Sequence, residues 1–158
     1  MRDKLDNIDR RILHIMQEDA GLAVAQIAER VGLSHAPCWR RIQRLEQSGA
    51  IKKRVAVLDR EVVGFDAMVF VMVKLSAQGR TQLAEFSEAV QKFPEVQDCH
   101  VLLGDVDFIL RIVTRDIKAY EDFFYNRLSK LPGIAEIRSS MVLTEVKQTY
   151  SLPILNEG

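Results

Sequence analysis

Two carboxylates stand two residues apart in Gly104-Asp105-Val106-Asp107, with apolar stretches on either side. Glycine accepts close backbone approach or positive φ, and aspartate bonds the backbone of a turn, so the run reads as a tight turn. A carboxylate at the mouth of such a turn can pair with an ammonium group, and backbone N–H groups there can receive a carboxylate. An amino acid needs both kinds of partner, which makes Gly104, Asp105 and Asp107 candidate effector-binding residues. Two other readings stand beside this one. The segment is also a plain hairpin, and the aspartates are also a possible Mg²⁺ site of a metal-dependent enzyme. The enzyme would want a further carboxylate on the first strand of the same domain. Residues 67–76 contain no Asp or Glu, and no phosphate-gripping glycine loop occurs. The expectation is therefore no enzyme, no catalytic residue and no cofactor other than a small amino-acid effector. No metal site is expected either. Cys99 and His100 are adjacent and point to opposite faces of a strand, and Cys38 lies far away in another domain.

A second group of residues suits a polyanion. Over residues 34–47 the helical period places Cys38, Ile42 and Leu45 on one side and Ala36, Arg40, Gln43, Arg44 and Gln47 on the other. Arginine and glutamine suit base edges and phosphates. A short turn separates this helix from the one before it, as in a helix-turn-helix, where the N-terminal part of the second helix enters the major groove. Ser34, His35, Ala36 and Arg40 are then placed near bases, with Gln43 on the same face. Arg41, Arg44, Lys52, Lys53 and Arg54 are placed at phosphates, where they position without specifying sequence. Trp39 lies at the border of the two faces and reads as a packing residue. The alternative is a solvated charged face on an assembly or interaction module that binds no DNA.

Three helices are needed to present that face. Leu5, Ile8, Ile12, Ile15 and Met16 recur at helical spacing behind a cap at Asp6 or Asn7. Val24, Ile27, Ala28 and Val31 mark a second helix closed by Gly32. Ser34 starts the third, Pro37 falls in its first turn, and Gly49 ends it. Residues 51–66 switch period and predict a strand and a connector. Beyond them the segments 67–76, 81–93, 96–103, 107–114, 117–131 and 134–148 read strand, helix, strand, strand, helix, strand. Lys92-Phe93-Pro94-Glu95-Val96 and Lys130-Leu131-Pro132-Gly133-Ile134 repeat one another, each closing a helix and opening a strand. Two such halves predict an α+β, ferredoxin-like βαββαβ domain, one antiparallel sheet with helices on one face. The bare face needs cover, which predicts a homodimer. The expected domains are residues 1–50 for DNA binding, 51–66 as strand and linker, and 67–158 for effector binding and oligomerisation.

The 158 residues carry no net charge, but the charge is divided. Residues 1–60 hold 12 Lys and Arg against 8 Asp and Glu, and residues 61–158 hold 10 against 14. A basic head on an acidic body predicts that the head meets double-stranded DNA. No apolar run reaches the ~18 residues of a membrane span, the charged start lacks a signal-like apolar core, and 2 cysteines make no disulfide framework. A cytoplasmic protein without membrane contact is expected.

The run Leu5-Asp6-x-x-Asp9-x-x-Ile12-Leu13, then Ile27-Ala28-x-x-Val31-Gly32-Leu33-Ser34, Pro37-Cys38 and Arg41-Ile42-x-x-Leu45-Glu46, resembles the Lrp/AsnC family of feast/famine regulators. Gly104-Asp105-Val106-Asp107-Phe108, Leu131-Pro132-Gly133 and Glu145-Val146-Lys147-Gln148 extend the resemblance along nearly the whole chain. The resemblance implies a winged helix-turn-helix and a ligand-sensing domain that dimerises and commonly builds octamers. It implies a transcription regulator modulated by an amino acid bound between subunits near the glycine-aspartate turn. Ser139, Ser140 and Met141 are then expected to contribute contacts from this or a neighbouring subunit.

Overall fold

The computed structural model describes residues 5–155; the outermost residues of the expected domains, 1–4 and 156–158, lie outside it. The chain forms two compact units. One holds the N-terminal part up to Val57 together with the segment from Lys147 onward, and the other spans Leu58–Val146.

The first unit is built on α1 (Asn7–Glu18), α2 (Val24–Val31) and α3 (His35–Gln47). Asp6 caps α1 reciprocally: the Asp9 N–H donates to the Asp6 carboxylate at 2.8 Å, and the Asp6 N–H donates to that of Asp9 at 3.3 Å. Gly32 ends α2 at φ +73°, and the Leu33 N–H closes the cap by donating to the Ala28 carbonyl at 2.9 Å. Three residues, Gly32 to Ser34, therefore turn the chain from α2 into α3. Ser34 occupies the cap position of α3, but its hydroxyl makes no capping bond. Ile12, Met16, Ile27, Ala28, Val31, Cys38, Ile42 and Leu45 bury a common core. Each large aliphatic side chain there is worth about 1.5–3 kcal/mol of burial. The C-terminal segment docks on α1: the Gln17 side chain donates to the Leu152 carbonyl at 2.8 Å and accepts from the Leu152 N–H at 2.9 Å.

The second unit is βαββαβ: β1 (Ala67–Leu75), α4 (Leu83–Gln91), β2 (Val96–Val101), β3 (Phe108–Thr114), α5 (Ile117–Asn126) and β4 (Ile134–Met141). The strands lie in the order β2-β3-β1-β4, each antiparallel to its neighbours, which is the predicted ferredoxin-like arrangement. Val69, Val71, Val73 and Leu75 of β1 alternate onto one face and pack with Phe86, Phe108, Leu110, Ile112, Tyr120 and Phe123. The other face carries Phe70, Met72, Ile109 and the Arg111–Asp98 ion pair, whose Nε–Oδ2 distance is 2.5 Å. Both halves of the internal repeat close a helical segment and open a strand, at β2 and β4. At the second, Gly133 lies against Gly79. A methyl carbon on Gly79 would stand 2.2 Å from the Gly133 carbonyl oxygen, so only two glycines allow this approach.

Three expectations are corrected. Residues 51–57 form no strand, and among the described residues no wing hairpin follows α3. Among the described residues the only backbone bond there runs from the Ile51 N–H to the Leu45 carbonyl, and none of their strands pairs with residues 52–58. The last strand ends at Met141 rather than Gln148. Its partner β1 begins at Ala67, so past the Val142 N–H bond to the Met68 carbonyl no ladder remains. The segment from Lys147 onward, expected with the second domain, belongs to the first unit. The helices are also shorter than their apolar periods: 3₁₀ turns at Gly79–Gln82 and Leu128–Lys130 flank α4 and α5.

Candidate nucleic-acid and effector sites

The polar face of α3 is solvent-exposed, as its period requires. Ser34, His35, Ala36, Arg40 and Gln47 are exposed, Gln43 is half-buried, and Cys38, Ile42 and Leu45 are buried beneath them. Gln43 donates to Glu46 at 3.1 Å. The basic residues divide into two groups. Arg40, Lys52 and Lys53 are exposed and make no ion pair among the described residues. Arg54 pairs with Glu46 at 2.6 Å. Arg41 reaches inward, with NH1 2.7 Å from Asp6 and 2.8 Å from Asp9, and Arg44 bonds the other Asp9 oxygen at 2.5 Å. Asp9 is only 1% exposed, so its charge depends on these partners. Arg41, expected at phosphates, is thus engaged by two carboxylates of the α1 cap. Asp6, then Asp9, hold its guanidinium above the ordinary range.

Sequence reasoning missed this clamp. The signal was present in the spacing of Asp6 and Asp9, three apart at a helix start, together with two arginines on the flank of α3. Trp39 is the other departure. It is half-exposed and absent from the side chains packed on the helical core.

In the second unit, Gly104, Asp105 and Asp107 lie on the connection between β2 and β3. Asp107 ties this loop to β1: its N–H donates to the Val73 carbonyl at 2.9 Å, and its carboxylate accepts the Leu75 N–H at 2.7 Å. Asp105 is exposed and makes no hydrogen bond or ion pair among the described residues, although its charge is felt by Arg138. Gly104 does not adopt a positive φ, and nothing lies within 4 Å of where a methyl carbon would stand. The chain's own packing therefore does not require a glycine there.

Ser139, Ser140 and Met141 are not gathered around that loop. They pair with Val71, Phe70 and Val69, whereas the loop meets β1 at Val73 and Leu75. At ~3.4 Å per residue the offset runs from about 7 Å for Ser139 to about 20 Å for Met141 along the strands. They are also split between the two faces. Ser139 faces the helices and shares a 2.5 Å hydrogen bond with the Tyr120 hydroxyl. Burial pushes the Tyr120 phenol up, against a smaller opposing effect of that bond. Ser140 alternates to the open face beside Phe70. Among the described residues no group of three or more His, Cys, Asp or Glu converges on a metal position, and no helix is long and apolar enough to cross a membrane.

The AsnC-type helix-turn-helix domain matches residues 5–46, and the Lrp/AsnC ligand binding domain matches residues 68–152. The chain is 37% identical to the leucine-responsive regulatory protein of Escherichia coli (strain K12), over 95% of this chain and 92% of that one. An AsnC family transcriptional regulator from Agrobacterium tumefaciens is 43% identical with a TM-score of 0.89, covering 95% of this chain and 97% of its own. A transcriptional regulator from Neisseria meningitidis, solved as a complex with L-Met, is 34% identical with a TM-score of 0.90, covering 96% and 97%. With both domains matched in order along the chain, it belongs to the Lrp/AsnC family of DNA-binding transcriptional regulators.

Proposed function

We propose that this chain is a sequence-specific transcription regulator, with α3 as its reading helix and a small amino acid as its effector. The observation that carries the DNA reading is the exposed face of α3, where Arg40 makes no ion pair among the described residues and stands beside His35, Ala36 and Gln43, with Lys52 and Lys53 likewise without one just beyond the helix. Ser34, His35, Ala36, Arg40 and Gln43 meet base edges; Lys52, Lys53 and the outer edges of Arg44 and Arg54 meet phosphates. The functional domains are residues 1–50 for DNA binding and 67–158 for effector binding and oligomerisation, and within the latter the described residues from Lys147 group with the first compact unit. The protein works in the cytoplasm and catalyses no reaction.

The effector reading rests on Asp105 and Gly104. Asp105 offers an exposed carboxylate without a hydrogen bond or ion pair among the described residues for an ammonium group, and Gly104 leaves room for close approach. Asp107 positions the loop. Because Ser139 to Met141 lie far along β4, a pocket containing both parts takes them from two copies. A homodimer through the open sheet face, where Phe70 is 39% exposed beside Met72 and Ile109, supplies the first copy contact. Assembly of dimers into an octamer supplies further ones. The likeness to regulators described as leucine-responsive or solved with L-Met favours an amino acid as the ligand.

A thermal-shift panel of the twenty amino acids, with light scattering on each hit, tests this reading. The expected result is selective stabilisation by one or a few amino acids that Asp105→Asn abolishes while leaving the unliganded Tm within about a degree. Stabilisation by none of them reduces the second domain to an assembly module. Gel shifts on duplex DNA at rising salt test the first domain independently, since phosphate contacts give a negative log–log slope of about 0.9 per contact.

A further inference from the structure

Trp39 is the only large apolar side chain exposed among the described residues of the helix-turn-helix, 5–50, and it is 49% exposed. It takes no part in the helical core. Its indole N–H has no hydrogen-bond partner and its ring has no aromatic or cation–π partner among the described residues. A tryptophan that packs for stability does the opposite, burying its ring and satisfying its N–H. At 100° per residue Trp39 sits one turn after His35 and one turn before Gln43, flanking the exposed strip of Ala36 and Gln43 on the side opposite Arg40.

Resting on the reading that α3 enters the major groove, we propose that Trp39 is a specificity-determining residue that reads thymine 5-methyl groups. The methyl is the one apolar feature that base pairs present in the major groove, and apolar side chains read it by contact. Ala36 is too short to reach across the groove on its own, and the remaining neighbours on this face are polar. The indole supplies the apolar surface that they lack. Arg40 on the opposite flank supplies hydrogen bonds for guanine or phosphate. The operator is accordingly expected to carry a thymine at a fixed position in each half-site.

Trp39 is the sole tryptophan of the chain, so its emission reports on this position alone. Full-length protein would be used to select an operator from a randomised duplex pool. Acrylamide quenching of its emission would then be measured with and without that duplex. Each thymine would next be replaced in turn by deoxyuridine, which removes only the methyl. DNA is expected to protect the indole from quenching. One or two uridine positions per half-site are expected to weaken wild-type binding about 5- to 30-fold, as expected for loss of one specific base contact, while Trp39→Ala binds the thymine and uridine duplexes equally. Tight binding with unchanged quenching, or with no uridine effect in the wild-type protein, overturns the assignment. Wild-type protein that retains no duplex at low salt overturns the α3 reading itself. The uridine series needs no variant, so a failure of Trp39→Ala to fold leaves the test intact.

Discussion

The buried carboxylate of Asp9 holds Arg41, on a different helix, at 2.8 Å. This bond spans from the first turn of α1 to the middle of α3, so the cap of one helix fixes the orientation of the other. Asp6 joins from the same cap at 2.7 Å, and Arg44 takes the remaining Asp9 oxygen. The two arginines differ in exposure, 27% for Arg41 and 54% for Arg44. That difference decides what their removal costs. Arg41→Ala leaves a buried carboxylate short of its best-shielded partner and is expected to destabilise by about 3 kcal/mol. Arg44→Ala removes a half-solvated partner and costs about 1 kcal/mol. Urea unfolding of the two variants checks the ranking. Equal losses, or a drop in the salt slope of DNA binding with unchanged stability for Arg41→Ala, would return Arg41 to the phosphates.

The same cap sets an acid limit. The Asp9 N–H, and after it Arg41, hold the Asp6 carboxyl below its usual range. A depressed folded pKa lends stability that is fully present above the unfolded value, about 3.9 for aspartate, and is lost as pH falls through the lower folded value. Wild-type stability is therefore expected to fall below about pH 4, and Asp6→Asn to be less stable at pH 6 but to fall less steeply in the acid window. Parallel curves for the two proteins between pH 6 and pH 3 would show that Asp6 does not contribute.

Much of this arrangement was legible in the residues. The buried positions Ile12, Ile27, Cys38, Ile42 and Leu45 follow the helical period, and the valines of β1 follow the strand period, because burial on one side of an element imposes that element's repeat. Where the sequence misleads, long-range partners decide. Val55 and Val57 read as a strand by composition, but a strand forms only beside another, and no strand among the described residues pairs with them. Residues 142–148 fail in the same way, past the end of β1. Arg41 and Arg40 are adjacent arginines with opposite fates, and the positions of Asp6 and Asp9 distinguish them. The candidate effector site was half legible: the loop chemistry is local and readable, whereas its distance from Ser139 depends on sheet register.

The contact between Gly79 and Gly133 makes a further prediction. Gly133 has φ +80°, and a methyl carbon there would lie 2.7 Å from the Gly79 Cα. Gly32 has a similar φ, +73°, but open space around it. Alanine at Gly32 therefore meets only the left-handed backbone penalty, about 1–2 kcal/mol. Alanine at Gly133 adds a backbone clash that no rotamer relieves, and is expected to cost about 3–4 kcal/mol in the second unit. Thermal unfolding of the two variants measures the difference. Equal shifts would mean that the chain opens around Gly79 at little cost.

The C-terminal segment provides the last test. Gln17 meets the Leu152 backbone with both its donor and its acceptor, and Arg10 reaches the Ile154 carbonyl at 3.3 Å. These three bonds are exposed or part-buried, each worth about 0.5–1.5 kcal/mol, so together they hold the segment by about 1.5–4.5 kcal/mol. Gln17→Ala is expected to release it without unfolding α1. The Leu152 amide should then exchange with solvent at least tenfold faster, while amides facing the Ile12 and Ile42 core keep their protection, because local opening is governed by local contacts. Truncation after Tyr150 should leave the helical unit with the same protection pattern. Loss of core protection in either variant would instead make the returning segment a structural part of the DNA-binding unit, and the three helices alone would be insufficient to hold the face of α3 in place.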